Sequence, residues 1–421
     1  MRSLYIINSQ SRSLYYGIGT YIKQLVAALK SSFSQITIVT LYVGVDIQNE
    51  TSVSMKNDIR YINIPKSYLD SYGRLSHSTN DRRYLHSAYY TLMTYVNEDD
   101  ENFFHFNYME LGELALWLKE KLSCKIILTV HYMHWSFELL GDVQKLHAVL
   151  DAPSNPHEED NKLFFGCEKR FLQEGADHII AIARHSYQTL CSLYQVDPSK
   201  ITVIPNGITD EYTEQSTEDK RMLRKKYLID ESDPLLIFVG RLNPVKVVGP
   251  LIDAFKFVLA KHETARLIIA GEGGEEDLKY YLGKASPLWS RIFFTGYVPK
   301  DQLYELYAIA DIGITPSVHE EFGYVATEMM MCKLPVIVNE TTGLKEIIAD
   351  GVNGTFIHLT NSKEQPETSI QQFSEKIICL LNDKALCTHY ADKARDTFIK
   401  TYEISFFEQN MIAFYNSLFV N

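Results

Sequence analysis

Short apolar runs alternate along the chain with stretches in which apolar residues recur every three or four positions. The runs predict buried strands and the periodic stretches predict amphipathic helices. In the first half, the strand-like runs cover residues 4–8, 35–44, 59–65, 103–107, 125–131, 176–183 and 201–208. Strands that alternate with helices in this way are typical of a parallel sheet with helices on both faces. The pattern therefore predicts a doubly wound α/β architecture.

The pattern restarts in the middle of the chain. After a charged, polar stretch at 209–233, strand-like runs resume at 234–242, 265–273, 291–298, 311–317, 334–340 and 354–359. We predict two Rossmann-like domains whose parallel sheets face across a cleft, with these bounds: a first domain at 1–207, a linker at 208–232, a second domain at 233–400 and a helix at 401–421 that packs back on the first domain. Residues 134–161 fit the pattern least well, and we expect them to pack over the first domain's cleft.

Composition narrows the function classes. Hydrophobic residues make up 46% of the 421 residues, which favours a globular protein. Lys and Arg total 41 against 53 Asp and Glu, a net charge of −12. This acidity argues against a general nucleic-acid binder, because such proteins need a basic surface to displace counterions. A local basic pocket for one phosphorylated ligand remains compatible with it.

Cysteine spacing and hydropathy indicate a cytoplasmic location. The six cysteines lack paired CxxC spacing, which favours free thiols in a reducing compartment. The apolar run at the N-terminus is too short for a signal peptide, and no uninterrupted apolar window of about 18 residues predicts a membrane span. The aromatic helix at 401–421 favours core packing, although peripheral membrane contact stays open.

Two cations follow the first strand of the second half. Arg241 and Lys246 lie in a loop that leads from this strand into a helix. Ligands of open parallel sheets bind at the carboxyl ends of the strands, where such loops converge. Both side chains are suited to stabilise the negative charge of a departing diphosphate by charge-assisted hydrogen bonds. The alternative is an ordinary pair of solvated loop cations.

Two glutamates eight residues apart form a second candidate element. Glu320 lies in the loop after a predicted strand, and Glu328 lies about one turn into the following helix. Gly323, near the start of that helix, allows a ligand to approach the backbone closely, and helix N-termini bind phosphate. We expect Glu328 to accept hydrogen bonds from sugar or ribose hydroxyls and Glu320 to contact a donor sugar.

In its motifs the second half resembles glycosyltransferase family four, a retaining group with the GT-B fold. The matching elements are ordered as in that family and cover most of residues 234–360: Gly240-Arg241-Leu242 with Lys246, Gly271-Glu272-Gly273, Gly296-Tyr297-Val298-Pro299, Glu320-x7-Glu328 around Phe322-Gly323, Pro335-Val336, Thr342-Gly343, Glu346-Ile347, Asp350-Gly351 and Gly354.

The resemblance implies a role for each matching position. Arg241 and Lys246 would contact the donor diphosphate, and Glu328 would bind the ribose. Glu320 would lie near the reacting carbon of the donor sugar. The remaining donor contacts would come from the loop at Tyr297 and Val298, which would hold the nucleobase, and from the backbone at Phe322, Gly323 and Tyr324, which would line the sugar and phosphate.

The sequence departs from the family pattern at two places. Val247 follows Lys246 where the family usually has glycine, and Lys333 with Cys332 precedes the Pro335-Val336 strand where the family usually has a small residue and glycine. Lys333 would either weaken the packing there or reach toward the cleft.

The first half offers a weaker set of candidates. Gly17 and Gly19 resemble the family's glycine-rich loop near the donor phosphates, although a simple turn before a helix is the alternative. His131 follows a strand where the family places a histidine facing the donor sugar, and a purely structural histidine is the alternative.

His134 gives an HxxH spacing without a third ligand, so we expect no metal site. Residues 205–207 resemble the turn that ends the family's first domain, and residues 184–186 are a candidate acceptor contact.

These elements together predict a retaining glycosyltransferase that moves a sugar, most often from a UDP-sugar in this family, to an acceptor hydroxyl. The second domain would bind the nucleotide-sugar donor and the first would lie on the acceptor side, with no cofactor and no metal. The acceptor stays open among glycans, lipid-linked intermediates, peptides and small metabolites. The alternatives are another GT-B chemistry, such as a nucleotide-sugar epimerase or a sugar phosphorylase, and a non-catalytic sugar-binding subunit of a glycosylation complex.

Overall fold

The computed structural model of the chain describes residues 1–10, 17–43, 50–66, 77–360, 362 and 365–419, and of residues 77–81 it describes the backbone alone. The chain forms two compact units. The first comprises Met1–Trp135, Gln144–Gly207 and Ser405–Asn421, and the second comprises Ser136–Val143 and Ile208–Ile404.

The first unit is built on one sheet, in which eight strands lie within the described residues. They are β1 (Arg2–Ser9), β2 (Gln35–Val43), β3 (Ser52–Lys56), β4 (Ile59–Pro65), β5 (Glu101–Phe106), β6 (Cys124–Val130), β7 (His178–Ala181) and β8 (Ile201–Val203). Their spatial order is β3-β4-β2-β1-β5-β6-β7-β8, and β3 alone of these pairs antiparallel with its neighbour. The order reverses between β1 and β5.

Helices of the first unit connect these strands. They are α1 (Gly17–Leu29), α2 (His77–Met93), α3 (Gly112–Lys121), α4 (His134–Glu138), α5 (Val143–Asp151), α6 (Pro156–Arg170) and α7 (Arg184–Ser192). Helix α6 begins at Pro156 because the Asn155 side chain accepts a hydrogen bond from the Glu158 N–H and Pro156 occupies the first helical position. Helix α4 begins in the first unit and ends in the second.

The second unit contains a six-stranded sheet within the described residues. Its strands are β9 (Leu235–Val239), β10 (Arg266–Ala270), β11 (Ile292–Gly296), β12 (Ile312–Thr315), β13 (Val336–Asn339) and β14 (Thr355–Ile357). Their order is β11-β10-β9-β12-β13-β14, and all pairings are parallel. This is the doubly wound order of a Rossmann fold, with the reversal between β9 and β12. Residues Leu235 to Phe238 of β9 are fully buried, as expected for a central strand covered on both faces.

Helices cover both faces of this sheet. They are α8 (Thr217–Lys226), α9 (Val248–Leu259), α10 (Glu275–Ala285), α11 (Lys300–Ile309), α12 (Tyr324–Met331), α13 (Leu344–Ile347), α14 (Glu367–Asn382) and α15 (Lys384–Thr401). The last helix of the chain, α16 (Ile404–Leu418), lies almost entirely in the first unit, where Tyr415 is fully buried.

The division into units agrees with a restart of the fold at the middle of the chain and differs from the expected bounds in detail. Residues 208–232, expected as a linker, belong to the second unit and include α8. Residues 136–143 also belong to the second unit, whereas we expected the whole segment 134–161 over the first domain. In the part of the chain that the structure describes, no helix is long and apolar enough to cross a membrane.

Candidate functional site

The loop after β9 holds the two predicted cations. It begins at Gly240 and runs into a single 3₁₀ turn, Pro244–Lys246, which the Asn243 side chain caps by accepting a hydrogen bond from the Lys246 N–H at 3.3 Å. Lys246 is therefore fixed directly before α9, close to the point where the strand order reverses. Arg241 lies exposed at the start of the same loop.

Lys246 and Glu320 form an ion pair between the loops that follow β9 and β12. Each side chain is only 16% exposed, so the pair is largely withdrawn from water. Strands β9 and β12 are direct neighbours, with Ile312 opposite Leu236. This pairing explains why two side chains 74 positions apart in the sequence meet at the carboxyl edge of the sheet.

The backbone around Glu320 is held by the Thr342-Gly343 motif. The Glu320 N–H donates to Thr342 Oγ1 at 3.0 Å, and the Thr342 hydroxyl donates to the Glu320 carbonyl at 2.7 Å. The Gly343 N–H donates to the same carbonyl at 2.9 Å. A Cβ on Gly343 would come within 2.7 Å of the Glu321 carbonyl oxygen, so only glycine allows this approach.

Gly240, after β9, and Gly271, after β10, pack directly against each other. Gly271 has φ +150°, and a Cβ there would lie 1.8 Å from the carbonyl oxygen of Gly240. The Gly271 N–H also donates to the Gly296 carbonyl at 2.9 Å, which ties in the end of β11. The motif glycines thus bring three loops together without intervening side chains.

Helix α12 begins directly after Gly323, as the sequence predicts. Gly323 has φ +102°, and a Cβ there would lie 2.9 Å from Leu344 Cδ2. The Phe322 ring is buried and packs edge-on against Tyr324 at 5.0 Å and Tyr402 at 5.8 Å. The Phe322 side chain therefore anchors the loop in the core, and only its backbone remains for ligand contact.

Glu328 lies one turn further along α12 in different surroundings. Burial raises its pKa to about 7, against the effect of the positive charge of Lys300 and with a further increase from Glu211. Among the described residues, no hydrogen bond or ion pair joins its side chain to Arg241, Lys246 or Glu320. The structure thus pairs two of the four predicted charged residues directly and gives Glu328 a separate electrostatic environment on the same unit.

The predicted nucleobase loop follows β11. Gly296 ends this strand with φ +66°, and Tyr297 is 57% exposed beyond it. Val298 is half-buried, and α11 begins two residues later at Lys300, the residue whose charge acts on Glu328.

Sequence reasoning missed two contributors to this site, His319 and the segment 136–143. His319 Nε2 lies 3.1 Å from Glu321 Oε1, and both residues are buried beside Glu320. The Ser136 hydroxyl donates to the same oxygen at 3.4 Å, and the Phe137 ring centre lies 5.9 Å from Arg241 Cζ. The segment interrupts the strand–helix alternation, and that irregularity was the only signal of its position.

The two departures from the family pattern both take up left-handed backbone. Val247 has φ +51° and Lys333 has φ +57°, conformations in which glycine is favoured. This explains why the family usually has glycine at both places. The Lys333 ammonium pairs with Asp392 of α15 at 2.8 Å, so its side chain packs along that helix and does not reach toward the site.

In the first unit, His131 lies at the carboxyl end of β6. Its Nε2 is hydrogen-bonded to Asn107 Oδ1 at 3.0 Å, and its ring meets Tyr21 of α1 edge-on at 4.5 Å. The Tyr21 hydroxyl is hydrogen-bonded to Thr129 Oγ1 at 2.7 Å. Burial lowers the pKa of His131 to about 3, so the imidazole is neutral at physiological pH. His105, also bonded to Thr129, has its pKa lowered to about 3 by burial and by His131.

The other first-unit candidates lie at helix starts. Helix α1 begins at Gly17, with Gly19 buried in its first turn, while residues 11–16 of the glycine-rich loop lie outside the described residues. Residues 184–186 form the first turn of α7. No group of three or more His, Cys, Asp or Glu side chains suited to hold a metal ion occurs within the described ranges.

Comparison with known proteins places this geometry in a family. The model of the family described as Glycosyltransferase Family 4 matches residues 15–212, and that of Glycosyl transferases group 1 matches residues 219–397. The two matches follow one another along the chain, and the break between them lies within about ten residues of the structural boundary at Gly207 and Ile208.

Individual relatives agree with these matches. An uncharacterized glycosyltransferase of Methanocaldococcus jannaschii is 33% identical over 226 residues, 52% of this chain and 56% of the relative. A D-inositol 3-phosphate glycosyltransferase of Catenulispora acidiphila is 28% identical over 262 residues, 60% of this chain and 58% of the relative. The chain thus spans slightly more than half the length of the curated relatives it matches.

Solved structures match over the whole chain. Sucrose-phosphate synthase from Thermosynechococcus elongatus superposes with a TM-score of 0.77 at 18% identity and covers 100% of this chain and 99% of that one. HepE of Anabaena, solved in complex with UDP-glucose, gives 0.70 at 17% identity and covers 99% and 100%. At these identities the likeness shows the fold, which is GT-B. With family matches over both units and this fold, the chain belongs to the family 4 glycosyltransferases.

Proposed function

We propose that the protein is a retaining glycosyltransferase that moves a sugar from a nucleotide-diphosphate sugar to an acceptor hydroxyl. The observation that carries the proposal is the Lys246–Glu320 pair, which is largely withdrawn from water where the strand order of the second sheet reverses. Ligands of doubly wound sheets bind at this point of the fold.

The pair and its neighbour account for leaving-group chemistry. As the bond from the sugar to the diphosphate breaks, negative charge grows on the phosphate oxygens. Lys246 is held in place by its loop and by Glu320, and Arg241 lies five residues before it. Each charge-assisted hydrogen bond from these cations would stabilise the departing group by about 1.5–3 kcal/mol. In a site that excludes water this stabilisation costs no solvent reorganisation during the reaction.

Glu320 contributes the acidic side of the same site. Its carboxylate holds Lys246 before the donor binds, and we propose that it also contacts donor-sugar hydroxyls near the reacting carbon. Glu328 would accept hydrogen bonds from the ribose. The backbone of Phe322, Gly323 and Tyr324 would line the sugar and phosphate, and Tyr297 and Val298 would hold the base.

The first unit would supply neutral polar groups. His131, with its neutral ring, would face the donor sugar, and Gly17 and Gly19 would lie near the phosphates at the start of α1. We propose that the acceptor binds on this unit. Its identity stays open among glycans, lipid-linked intermediates, peptides and small molecules.

UDP is the favoured carrier of the donor sugar. HepE of Anabaena, which shares the fold, was solved with UDP and with UDP-glucose, and a trehalose-phosphate synthase of the same fold is named as UDP-forming. We further propose that transfer needs no metal, because Arg241 and Lys246 supply positive charge for the leaving group. Activity should then persist in EDTA. The six cysteine thiols, all described and none in a disulfide, support work in the reducing cytoplasm.

A donor screen and one substitution test the proposal. UDP-, GDP- and ADP-sugars are added singly, and a true donor should raise the melting temperature by mass action, equivalent to about 2.7 kcal/mol at 100 times its Kd. With that donor, Lys246→Ala should lower turnover by about 100-fold or more. Lys256→Ala is the matched control, since Lys256 pairs with Asp253 on the exposed side of α9. Equal turnover in both variants would contradict the assignment.

Product analysis separates the other chemistries. A retaining transferase gives a glycoside with the donor's anomeric configuration, which NMR shows directly, and it needs an acceptor. A new nucleotide sugar formed without acceptor would indicate an epimerase, and sugar phosphate formed with inorganic phosphate would indicate a phosphorylase. Donor binding with neither transfer nor hydrolysis would indicate a non-catalytic sugar-binding subunit.

A further inference from the structure

Eight residues of the second unit come from a distant part of the sequence. The segment 136–143 is bounded on both sides by residues of the first unit, yet it packs in the second. The Ser136 hydroxyl donates to Glu321, and Leu140 packs against the second unit's hydrophobic core. Gly141 fits against His319 so closely that a Cβ would lie 2.8 Å from its Nδ1. The segment is therefore a fixed part of this unit.

Phe137 is the residue of this segment that meets the proposed diphosphate site. Its ring centre lies 5.9 Å from Arg241 Cζ and 6.2 Å from the centre of the His319 ring, which it meets at 79°. A cation within about 6 Å of a ring centre is attracted to the ring face. The His319 contact in turn limits the movement of the Phe137 ring.

The two cations of the loop are stabilised in different ways. Lys246 pairs with the Glu320 carboxylate, whereas Arg241 makes no ion pair within the described residues. A carboxylate partly offsets the charge of its partner and occupies some of its N–H donors, whereas an aromatic ring orients a guanidinium and leaves its positive charge and its N–H donors available. An exposed arginine without such a contact would lose conformational entropy on binding a ligand.

We propose that Phe137 is a positioning residue that holds the Arg241 guanidinium for the donor diphosphate. The inference rests on the proposed function, because it assigns the diphosphate to Arg241. It adds that a segment from the first half of the sequence helps to determine how tightly the second unit binds the diphosphate.

Affinity measurements on ring variants test this inference. The probe is whichever of UDP, GDP and ADP binds the wild-type protein best by calorimetry. Phe137→Leu, which removes the ring and keeps apolar volume, should weaken binding about two- to fivefold, the effect expected for an exposed cation–π contact. Phe137→Trp, which keeps an aromatic face, should bind as the wild type does.

Two further comparisons isolate the route through Arg241. In an Arg241→Ala background, Phe137→Leu should have no additional effect on affinity. Phe293→Leu is the matched control, because the Phe293 ring lies 5.8 Å from Arg266 Cζ near the opposite, amino ends of β10 and β11. It should leave affinity unchanged.

The outcomes separate the inference from the proposed function. Wild-type affinity in Phe137→Leu, an equal loss in Phe137→Trp, or a further loss in the Arg241→Ala background would each overturn the positioning role alone. Failure of the wild-type protein to bind any of the three diphosphates would instead overturn the proposed function, and the inference with it.

Discussion

The carboxyl ends of the two sheets share a topology and differ in chemistry. Both sheets reverse their strand order at a central strand, β1 in the first unit and β9 in the second. After β9 and β12 lie a largely buried ion pair, Lys246 with Glu320, and the exposed Arg241. After β6 and β5 of the first unit lie a neutral histidine, His131, and its hydrogen-bonded partner Asn107.

Under the proposed function, this difference would divide the work of glycosyl transfer between the two units. A diphosphate needs fixed positive charge, whereas an uncharged sugar or hydroxyl needs hydrogen bonds from groups that stay neutral. The second unit pairs Lys246 with Glu320 and leaves Arg241 exposed. The first unit keeps the imidazoles of His131 and His105 neutral by burying them. Substitutions in each unit test this contrast.

The largest effect is expected from removing the charges of the second unit. Lys246→Met and Glu320→Leu should each lower the free energy of unfolding by about 1–3 kcal/mol, because each leaves the other, largely buried charge without a partner. The double variant should regain most of this stability and still transfer at least about 100-fold more slowly than wild type. Urea unfolding and turnover assays measure the two effects.

The exposed pair Lys279–Glu275 is the control for this cycle, with side chains 74% and 81% exposed. The same kind of substitutions there, Lys279→Met and Glu275→Leu, should change stability by less than about 1 kcal/mol and leave turnover unchanged. A double Lys246/Glu320 variant with wild-type turnover would remove the charged site from the mechanism.

In the first unit we expect a dependence of stability on pH. His131 and His105 have pKa values lowered to about 3, against about 6.5 in an unfolded chain. The unfolded state therefore binds more protons below pH 6.5, and stability should fall with decreasing pH from 6.5 toward 3. Each histidine contributes about 1.4 kcal/mol per pH unit in this window.

Substitution of His131 should make stability less dependent on pH. His131→Gln carries no titrating ring, so urea unfolding of this variant between pH 7 and pH 5 should show a shallower loss of stability than wild type. His147→Gln, at an exposed position on α5, serves as the control and should keep the wild-type slope. An unchanged slope in His131→Gln would mean that the His131 imidazole titrates normally.

Glu328 belongs to the second unit but resembles the first in its environment. Burial raises its pKa to about 7, so its carboxylate ionises at a cost near neutral pH. Above pH 7, Glu328→Gln should therefore raise the free energy of unfolding by roughly 1–3 kcal/mol, and the gain should vanish below about pH 4.5, where the carboxyl is protonated in both states.

Although Glu328→Gln should stabilise the protein, we expect it to weaken nucleotide binding. If the ionised carboxylate binds ribose hydroxyls, wild-type affinity for UDP should increase from pH 6 to pH 8, and Glu328→Gln should bind more weakly without that increase. Calorimetry at three pH values measures this. A variant that is more stable and also binds UDP as tightly as wild type would remove Glu328 from the donor site.

Local sequence patterns predicted most strands of the two sheets but not the edge strand β3 of the first sheet. Buried strands such as β1 and β9 are continuous apolar runs, and each was expected. Strand β3 was not predicted, because its residues are largely exposed and it pairs through a turn at Asn57 and Asp58 with φ of +51° and +65°. Turn geometry of this kind is only weakly encoded in an Asn-Asp pair.

The site was predictable as far as its motifs are contiguous. The residues of each loop could be chosen from the sequence, but the pairing of Lys246 with Glu320 follows from strands β9 and β12 lying side by side. The contact of Phe137 with Arg241 joins residues from different halves of the chain. The local hydrophobic pattern cannot predict such a contact, because the contact depends on where the irregular segment 136–143 packs in the fold.

The two left-handed residues show what family glycines contribute. Val247 is 7% exposed within the second unit's core, so its side chain offsets the backbone cost by burying apolar surface. Lys333 is half-buried and has no such compensation beyond its ion pair with Asp392. The free-energy cost of the left-handed backbone is therefore best measured at Lys333.

The smallest expected effect comes from Lys333, where two substitutions separate the side chain from the backbone. Lys333→Gly and Lys333→Ala both remove the ion pair with Asp392, but only glycine adopts φ +57° without steric cost. A left-handed residue other than glycine costs about 1–2 kcal/mol, and glycine's greater freedom in the unfolded chain offsets part of the gain. The glycine variant should thus be more stable than the alanine variant by roughly 0.5–1 kcal/mol in urea unfolding, with equal turnover in both. An alanine variant of equal or greater stability would show that the family's glycine at this position serves packing or motion and not backbone conformation.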